Sequence, residues 1–503
     1  MRRSYIAGLV GLAAVAMLCI WAGPAASAST VDDNGYYVAG EAGGNKDTGL
    51  TTGTGHAPAR TVAVSVTTVA GSFDVLQAAV DATGDTVVLA GRDGWYAYGP
   101  ASSDAVSVAA MTDADGMRHV ELLADITHVE ADVHDTITVS GSLSVDLRGF
   151  TIDADSAGAT VTVSNGAVLH VYDTDDAGAT RPLESAGKIT GGANDTHPGA
   201  GGGINAFAGN SQVHPHGGSV TGNHAMWGGG IEVGAGSTFV VDGGYVTENV
   251  ATVAGGGVNL DACRMEMSNG QISGNTTRTG GGINTGSSGT TILLSGGLIS
   301  DNEAAANGGG IYVRSDCHVE MSGGTISGNA GGSGGGFCVD SPYSMAEVRL
   351  LGGYVSGNVA REGGGIFAQK QFSVIVDGGH VDGNTSEGRG GGIYADGWQL
   401  GVSSVKILAG SVQENHASAV GGIFAYDVDL FIGRDTGDPP IIRKNFGKGI
   451  VGGILFSGIS DASVEVKLDI WPTAVAASNH HEDFNNRRGK SRLLVSGMKA
   501  PSI

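Results

Sequence analysis

The sequence predicts an all-β fold, a single-stranded right-handed parallel β-helix solenoid with three short strands in each coil and a cap helix at its N-terminal end. Two landmarks carry this prediction. A Gly-Gly-Gly-Ile element, or a close variant, recurs between Ile204 and Ile454 at steps of 27, 27, 25, 28, 26, 29, 27, 30 and 31 residues. An asparagine recurs with the same period. Two landmarks in step indicate stacked coils of about 27 residues each.

The strands follow from the alternation of apolar and polar residues inside one repeat. In the repeat that begins at Ile311, the first run is Ile311 to Val313, the second is Val319 to Met321, and the third is Thr325 to Ser327. A period of two is typical of a strand with one buried face. We expect the apolar side chains to point inward and to stack on those of the next coil, at a spacing of about 4.8 Å.

The recurring asparagine predicts a ladder of side chains along one turn of the solenoid. Asparagine tolerates the left-handed backbone conformation that such a turn needs. Its amide can both donate and accept a hydrogen bond, so stacked copies can bond to one another. The predicted rungs are Asn223, Asn249, Asn275, Asn302, Asn329, Asn358 and Asn384.

The chain divides into five segments. Residues 1–28 have two arginines, an apolar stretch and an Ala-Ser-Ala end, the pattern of a secretory signal peptide. Residues 29–60 are a flexible leader, and residues 61–187 form irregular N-terminal coils with a cap helix over 73–82. The regular repeats occupy 188–470, and 471–503 form a basic tail or cap.

Composition excludes several functions. The chain of 503 residues has 89 glycines and a formal charge of −23, which argues against binding to nucleic acid. After the signal segment, no apolar stretch is long enough to cross a bilayer. Three cysteines follow that segment, an odd number, so disulfide bonds are not its framework. The sequence therefore predicts an exported chain without a transmembrane segment.

The paired motifs Gly309-Gly310-Ile311 and Ile326-Ser327-Gly328-Asn329 resemble those of a known family. They are similar to the GGA[ILV] and FxxN motifs of polymorphic outer-membrane proteins, and the chain resembles bacterial adhesin-like repeat proteins of the pectin-lyase-like β-helix superfamily. This resemblance implies a bacterial protein that is secreted or displayed at the cell surface. It also implies partners that are glycans, host proteins or cell-surface proteins.

The same resemblance implies an alternative function, because enzymes of this fold are lyases and glycoside hydrolases that act on acidic polysaccharides. Hydrolysis needs two carboxylates, and lyases need acidic Ca²⁺ ligands and a base. No stacked aspartate cluster is present in the regular repeats, so we name no catalytic residue and predict no cofactor, with Ca²⁺ left open. The acidic and histidine-rich strands at 113–176 are the best location for an active site.

Outward aromatic residues at equivalent positions of the first strand are the candidate binding site. Stacked exposed rings can bind sugars or a protein partner. The alternative is that the tail covers the rings or that they pack only on one another. Ligands can also bind the variable loops between each asparagine and the next Gly triplet. The candidate binding residues are Tyr312, Phe367, Tyr394 and Phe424.

A candidate metal site lies on a strand predicted over His128 to His134. Alternation places His128, Glu130, Asp132 and His134 on its outer face, where histidine and carboxylate ligands can bind a metal. The alternative, which we favour, is a solvated strand face. A weaker version is the pair His214 and His216, interpreted as a turn. Three aspartates, interpreted as a solvated turn, can contact Ca²⁺: Asp173, Asp175 and Asp176.

Overall fold

A computed structural model gives the structure of the chain. It describes residues 30–31, 37–38, 67–68, 71–81, 95–98, 105–113, 115–130, 132–156, 158–175, 178–195, 201–287, 289–398, 402–434, 437–457, 467–470, 475–477, 480–486 and 492–494. The predicted signal segment, most of the leader and most of the tail lie outside these residues. The described part is a parallel β-helix of about 12 turns, as the repeat predicts.

The strands of each coil lie on four faces, which we name A to D in chain order from the Gly triplet. Every strand on a face pairs in parallel with its equivalent one coil away. The strands of face A are Ile137–Val139, Val161–Val163, Ile204–Ala206, Ile231–Val233, Val258–Asp261, Ile283–Ser287, Ile311–Val313, Ile393–Asp396 and Ile423–Tyr426. The strands of face B are Arg118–Leu122, Ser142–Asp146, Val168–Tyr172, Gln212–Pro215, Thr238–Val241, Arg264–Met267, Thr291–Leu294, His318–Met321, Asp429–Ile432, Lys467–Ile470 and Arg492–Leu494.

Face C follows the predicted third strand. Its members are Ile126–Thr127, Thr151–Ser156, Lys188–Asn194, Ser219–Thr221, Tyr245–Thr247, Gln271–Ser273, Leu298–Ser300, Thr325–Ser327, Tyr354–Ser356, Ile441–Arg443 and Val475–Ala477. Longer strands run from one face onto another, and they include Phe337–Leu350, Ile366–Asp382, Ser404–Gln413, Phe446–Ser457 and His480–Asn486.

Face D was predicted to be loop, and this prediction is wrong. The segment between each asparagine and the next Gly triplet forms a fourth strand, and its partners lie on the neighbouring coils. These strands are His224–Trp227, Val250–Ala254, Thr276–Thr279, Glu303–Asn307, Ala330–Ser333, Val359–Glu362, Thr385–Ser386 and His416–Ala417.

The core consists of stacks of inward side chains, in which residues at equivalent positions of successive coils lie on one another. On face A the stack Ile231, Val258, Ile283 and Ile311 continues through later coils, and each of these side chains is fully buried. The same holds for the inward residues Val319 and Met321 of face B. Burial of a side chain of this size contributes about 1.5–3 kcal/mol, so repetition over the coils stabilises the solenoid.

A short helix, Phe73–Asp81, closes the N-terminal end of the stack, as predicted. Phe73, Leu76 and Ala79 are buried against the first coil. The side chain of Gln77 extends the strand pairing, because its amide donates to the carbonyl of Thr138 at 2.9 Å and accepts from the N–H of Thr138 at 2.6 Å. The helix thus covers a strand edge that would otherwise be open to pairing.

Smaller elements complete the described chain. The strands Trp95–Tyr98 and Val108–Thr112 pair antiparallel with each other, and the second also pairs antiparallel with face B. Two further pairs join Thr30–Val31 to Tyr37–Val38 and Thr67–Thr68 to Ala105–Val106. A 3₁₀ helix spans Leu183–Ser185. Across the described residues, no helix combines the length and the apolar character that a bilayer crossing requires.

The asparagines form a continuous hydrogen-bonded ladder at the turn between faces C and D. Asn302 is representative: its Oδ1 accepts from the backbone N–H and the Nδ2 of Asn275, and its Nδ2 donates to Asn329 Oδ1 at 2.9 Å. The same Nδ2 donates to the carbonyl of Ile272, one coil back. The ladder continues beyond the predicted rungs, through Asn415 to Asn445.

The left-handed residue of this turn precedes the asparagine, so the prediction that asparagine takes this conformation is wrong by one position. Glycine stands there in several coils, including Gly274 with φ of 64°. In others the position holds a charged residue, as at Glu248 with φ of 57°. The asparagine is therefore retained for its amide hydrogen bonds, while its neighbour carries the backbone strain.

Candidate functional site

A cleft of about 540 Å³ opens on the outside of the solenoid, where face D turns into face A. The outward side chains of face A form its floor, and the ends of the face D strands form one wall. Residues that follow the face A strands form the other wall. The cleft spans several consecutive coils, so it is an elongated groove across the strands. Its lining residues are Phe207, Trp227, Glu232, Val253, Ala254, Asn259, Asp261, Arg278, Thr279, Asn284, Gly286, Tyr312 and Arg314.

The Gly triplet creates the room for this cleft. The first glycine of each triplet has a positive φ, 66° at Gly255 and 68° at Gly280. A Cβ at Gly255 would lie 2.8 Å from the Cβ of Asn259, and one at Gly280 would lie 2.7 Å from the Cβ of Asn284. Any larger residue would therefore collide with the floor of the groove as well as strain the backbone.

Three polar residues of the floor, Glu232, Asn259 and Asn284, lie in register on adjacent strands, and we name them the cleft row. Asn284 donates to Asn259 Oδ1, and Asn259 Nδ2 donates to Glu232 Oε1 at 2.8 Å. Glu232 is 1% exposed, and its Oε2 has no hydrogen-bond partner among the described residues. Burial raises the pKa of Glu232 to about 8, so the carboxyl is largely protonated at neutral pH.

The mouth of the cleft carries charge and rings above this neutral floor. Arg278 and Arg314 are exposed there, and Arg314 also donates to the carbonyl of Gly286 at 3.1 Å. Asp261 accepts a hydrogen bond from Ser287. Aromatic rings line the same space, with Phe207 42% exposed. Buried polar groups below and apolar rings beside them are the usual composition of a small-molecule site.

Sequence reasoning did not identify the cleft row, although a signal for it exists. Tyr312 is the residue in register with Asn284. The aromatic positions therefore continue toward the N-terminus as Asn284, Asn259 and Glu232, the residue that follows the Ile or Val of each Gly triplet. The change from aromatic to polar marks the part of face A that lies under the cleft.

The aromatic residues predicted as an exposed platform are buried, so that prediction is wrong in its exposure. The exposed fractions of Tyr312, Phe367, Tyr394 and Phe424 are only 6–9%. Phe367 stacks on Tyr394 with centroids 4.8 Å apart, and Tyr394 stacks on Phe424 at 4.9 Å. The guanidinium of Arg389 lies 4.7 Å from the Phe424 centroid. These rings pack on one another, and only Tyr312 lines the cleft.

Replacing Tyr394 with alanine is therefore expected to lower the free energy of unfolding by about 3 kcal/mol, the usual cost of removing a buried aromatic side chain. Ligand binding in the cleft should be unchanged, because Tyr394 lies three coils from Tyr312. Chemical denaturation of the variant gives the stability change. Tyr343→Ala is the control, since Tyr343 is 83% exposed and its removal should cost little. Equal losses in the two variants would contradict the assignment of the rings to a packed cluster.

The strand predicted over His128 to His134 is absent, because the strand of face C ends at Thr127. Val133, expected to point inward, is 85% exposed. The segment instead holds the cap helix. Asp132 Oδ2 accepts from the N–H of Phe73 at 3.1 Å, and His134 Nδ1 lies 2.7 Å from Asp74 Oδ1.

Because of these contacts, the four predicted metal ligands do not share the outer face of one strand, as the metal prediction required. The ring of His128 packs edge-on against Phe73, with centroids 5.6 Å apart. Glu130 is exposed. His128, Glu130, Asp132 and His134 therefore do not lie on one strand face, and three of them contact the helix.

Two of the carboxylates between 113 and 176 hold turns of the fold. Asp173 is buried and accepts from the N–H groups of Gly149 and Gly187. Asp175 accepts from the N–H of Ala179 at 2.8 Å. Asp176 lies outside the described residues. These hydrogen bonds assign the two described aspartates to turns, so the cleft replaces this segment as the location of a candidate site.

Comparison with known proteins adds no relative to this description. The chain matches no protein-family model, no curated protein and no solved structure.

Proposed function

We propose that the protein is an adhesin-like β-helix protein, secreted or displayed at a bacterial cell surface, that binds acidic glycans in the cleft between faces D and A. The observation that carries this proposal is the cleft row, which places a buried, unpartnered carboxyl oxygen in a groove walled by aromatic rings. A sugar hydroxyl can supply the missing partner of Glu232 Oε2 when the side chains that cover this atom move aside. Sugar rings can stack on Trp227 or Phe207.

The charges at the mouth favour an acidic glycan over a neutral one. Arg278 and Arg314 line the cleft, and the described residues form no ion pair with the side chain of either. Guanidinium groups bind carboxylate and sulfate oxygens through paired N–H donors. Because Glu232 is largely protonated, the floor does not repel an anion. With two arginines against the single acidic side chain of Asp261, the groove has local positive charge on a chain whose net charge is −23.

Titration calorimetry with oligogalacturonate and with sialylated mucin glycans tests the proposal, and a methyl-esterified oligogalacturonate serves as the neutral reference. We expect the acidic ligands to bind and Arg278→Ala to weaken that binding about tenfold, the loss of one charge-assisted contact. Trp227→Ala should weaken acidic and neutral ligands alike. A glycan site in the cleft would be refuted if none of the ligands bound, or if neither substitution weakened their binding.

Arg361 offers a matched control for Arg278. Both arginines are exposed and stand on face D, directly before the last residue of the strand and the Gly triplet. Arg361 is not among the residues that line the cleft. Arg361→Ala removes the same charge at the equivalent position of a later coil, so it should leave glycan binding unchanged.

Glycoside hydrolysis is the second candidate function, and the raised pKa of Glu232 is the observation that favours it. A carboxyl that stays protonated near neutral pH can act as a general acid. Asp261, two residues beyond Asn259 on the neighbouring strand, supplies a second carboxyl in the same cleft. An assay for new reducing ends separates the two functions. Turnover that Glu232→Gln abolishes, with binding retained, would establish hydrolysis, and an absence of turnover would leave binding alone.

A further inference from the structure

Three histidines form a cluster on face B, away from the cleft. His170 and His214 occupy the same register on adjacent coils, and His216 follows the end of the second strand. One nitrogen of each ring lies within 4.8 Å of a nitrogen of the other two. All three side chains are half-buried. This is the one group of three potential metal ligands found among the described residues.

The rings are held in place by their neighbours. His170 stacks on His214 with centroids 4.6 Å apart, and Tyr172 stacks on His216 at 4.4 Å. His170 Nδ1 lies 2.9 Å from His216 Nε2. Gln212 Oε1 is 3.3 Å from His214 Nε2. Two of the imidazoles, those of His170 and His214, thus lie on a rigid strand face, and the third directly follows the strand.

Asp242 fixes the tautomer of the His216 ring. Its Oδ1 lies 2.6 Å from His216 Nδ1, and an ionised carboxylate only accepts hydrogen bonds. The proton of the neutral His216 ring is therefore on Nδ1, and its Nε2 accepts a hydrogen bond from His170 Nδ1, 2.9 Å away. A metal ion can take the place of the proton between these two nitrogens when His170 carries its proton on Nε2 instead. A carboxylate that orients a histidine in this way is the usual outer partner of a metal-binding histidine.

We propose that His170, His214 and His216 bind a transition-metal ion of the zinc type, with Asp242 orienting His216. Three neutral imidazoles suit Zn²⁺, Cu²⁺ and Ni²⁺. Bonds of 2.0–2.1 Å to a tetrahedral ion place ligand nitrogens about 3.3 Å apart, within the 2.9–4.8 Å range that the rings already span. Small rotations of the half-buried rings complete the geometry. The exposed side of the cluster leaves the fourth position to water.

The site does not depend on the cleft, so it is separate from the proposed glycan binding.

Titration calorimetry of the untagged full chain with ZnCl₂, after removal of metal with EDTA, tests the proposal. We expect one Zn²⁺ per chain and an increase in the thermal unfolding temperature when the ion binds. His216→Ala should weaken binding at least 100-fold. Asp242→Asn should weaken it 10- to 100-fold, the usual effect of losing such an outer partner. With Cu²⁺ as the probe, electron paramagnetic resonance should show coupling to imidazole nitrogens that His170→Ala reduces.

His380 provides a matched control. It also lies on an outward strand face, stacks on a tyrosine, Tyr354, at 4.7 Å, and has Asp382 3.9 Å away. His380→Ala should therefore leave the affinity for Zn²⁺ unchanged, while circular dichroism verifies that each variant is folded. The proposal is overturned if no stoichiometric binding occurs, or if folded His216→Ala and His380→Ala bind the ion equally well.

Discussion

Asn302→Ala is expected to lower the free energy of unfolding by roughly 3–6 kcal/mol, among the largest effects of any single substitution in this chain. Asn302 is 1% exposed. Its removal leaves the backbone N–H and the Nδ2 of Asn275 without an acceptor, and it deprives the carbonyl of Ile272 of a donor. Each buried group left without a partner costs about 1–3 kcal/mol. Chemical denaturation, followed by circular dichroism, measures the loss.

Asn269 supplies the control of the same residue type. It is exposed, in the turn that follows the strand Arg264–Met267, and its backbone N–H bonds to the carbonyl of Val241 whatever the side chain. Asn269→Ala should change stability by less than about 0.5 kcal/mol. Hydrogen exchange should further localise the damage of Asn302→Ala to its own and the adjacent coils. A variant as stable as the Asn269 control would show that the ladder contributes nothing to the fold.

Glu232→Gln is expected to stabilise the protein at pH 8 and to remove part of its pH dependence. The pKa of Glu232 is raised from 4.5 to about 8 in the folded chain. Below pH 4.5 both the folded and the unfolded chain hold this proton. As pH rises toward 8, the unfolded chain releases the proton and the folded chain retains it, so stability falls. The 3.5-unit difference corresponds to at most about 5 kcal/mol.

Glutamine keeps the shape of the side chain and its bond from Asn259, but it cannot ionise. The difference in unfolding free energy between Glu232→Gln and the native chain should therefore grow from pH 4.5 to pH 8, since all other titrating groups are shared. Denaturation midpoints at pH 4.5, 6 and 8 measure it. Glu248→Gln, at an exposed position, should show no such trend. A difference that stays constant over this range would mean that Glu232 is ionised in the folded state.

The regular part of the fold could be predicted because the same alternation of apolar and polar residues recurs in every coil. The inward residues of faces A, B and C alternate with polar ones, and each coil restates the pattern. Face D carries no such signal. Ala330–Ser333 has two glycines and Thr276–Thr279 is polar. These segments are strands because the coils on either side offer backbone partners, a tertiary effect that a local pattern does not contain.

The candidate sites show a second limit of local patterns. His128 to His134 alternates like a strand, yet carboxylates of Asp74 and Asp132 bind the backbone between the helix and this segment and override the alternation. His170 and His214 stand in register although 44 residues separate them, because an insertion lengthens that coil. A search at the 27-residue period therefore misses them. The burial of Glu232 likewise depends on the corner geometry of several coils, which one acidic residue in a strand does not reveal.

The asparagine ladder also gives the solenoid a direction of assembly. Each rung donates its backbone N–H and its amide to the rung that comes later in the chain, as Asn249 does to Asn275. A chain synthesised from its N-terminus therefore presents its newest asparagine with both donors unmet until the next coil arrives. Every rung is therefore completed by the coil that follows it, which gives the ladder a single direction along the chain.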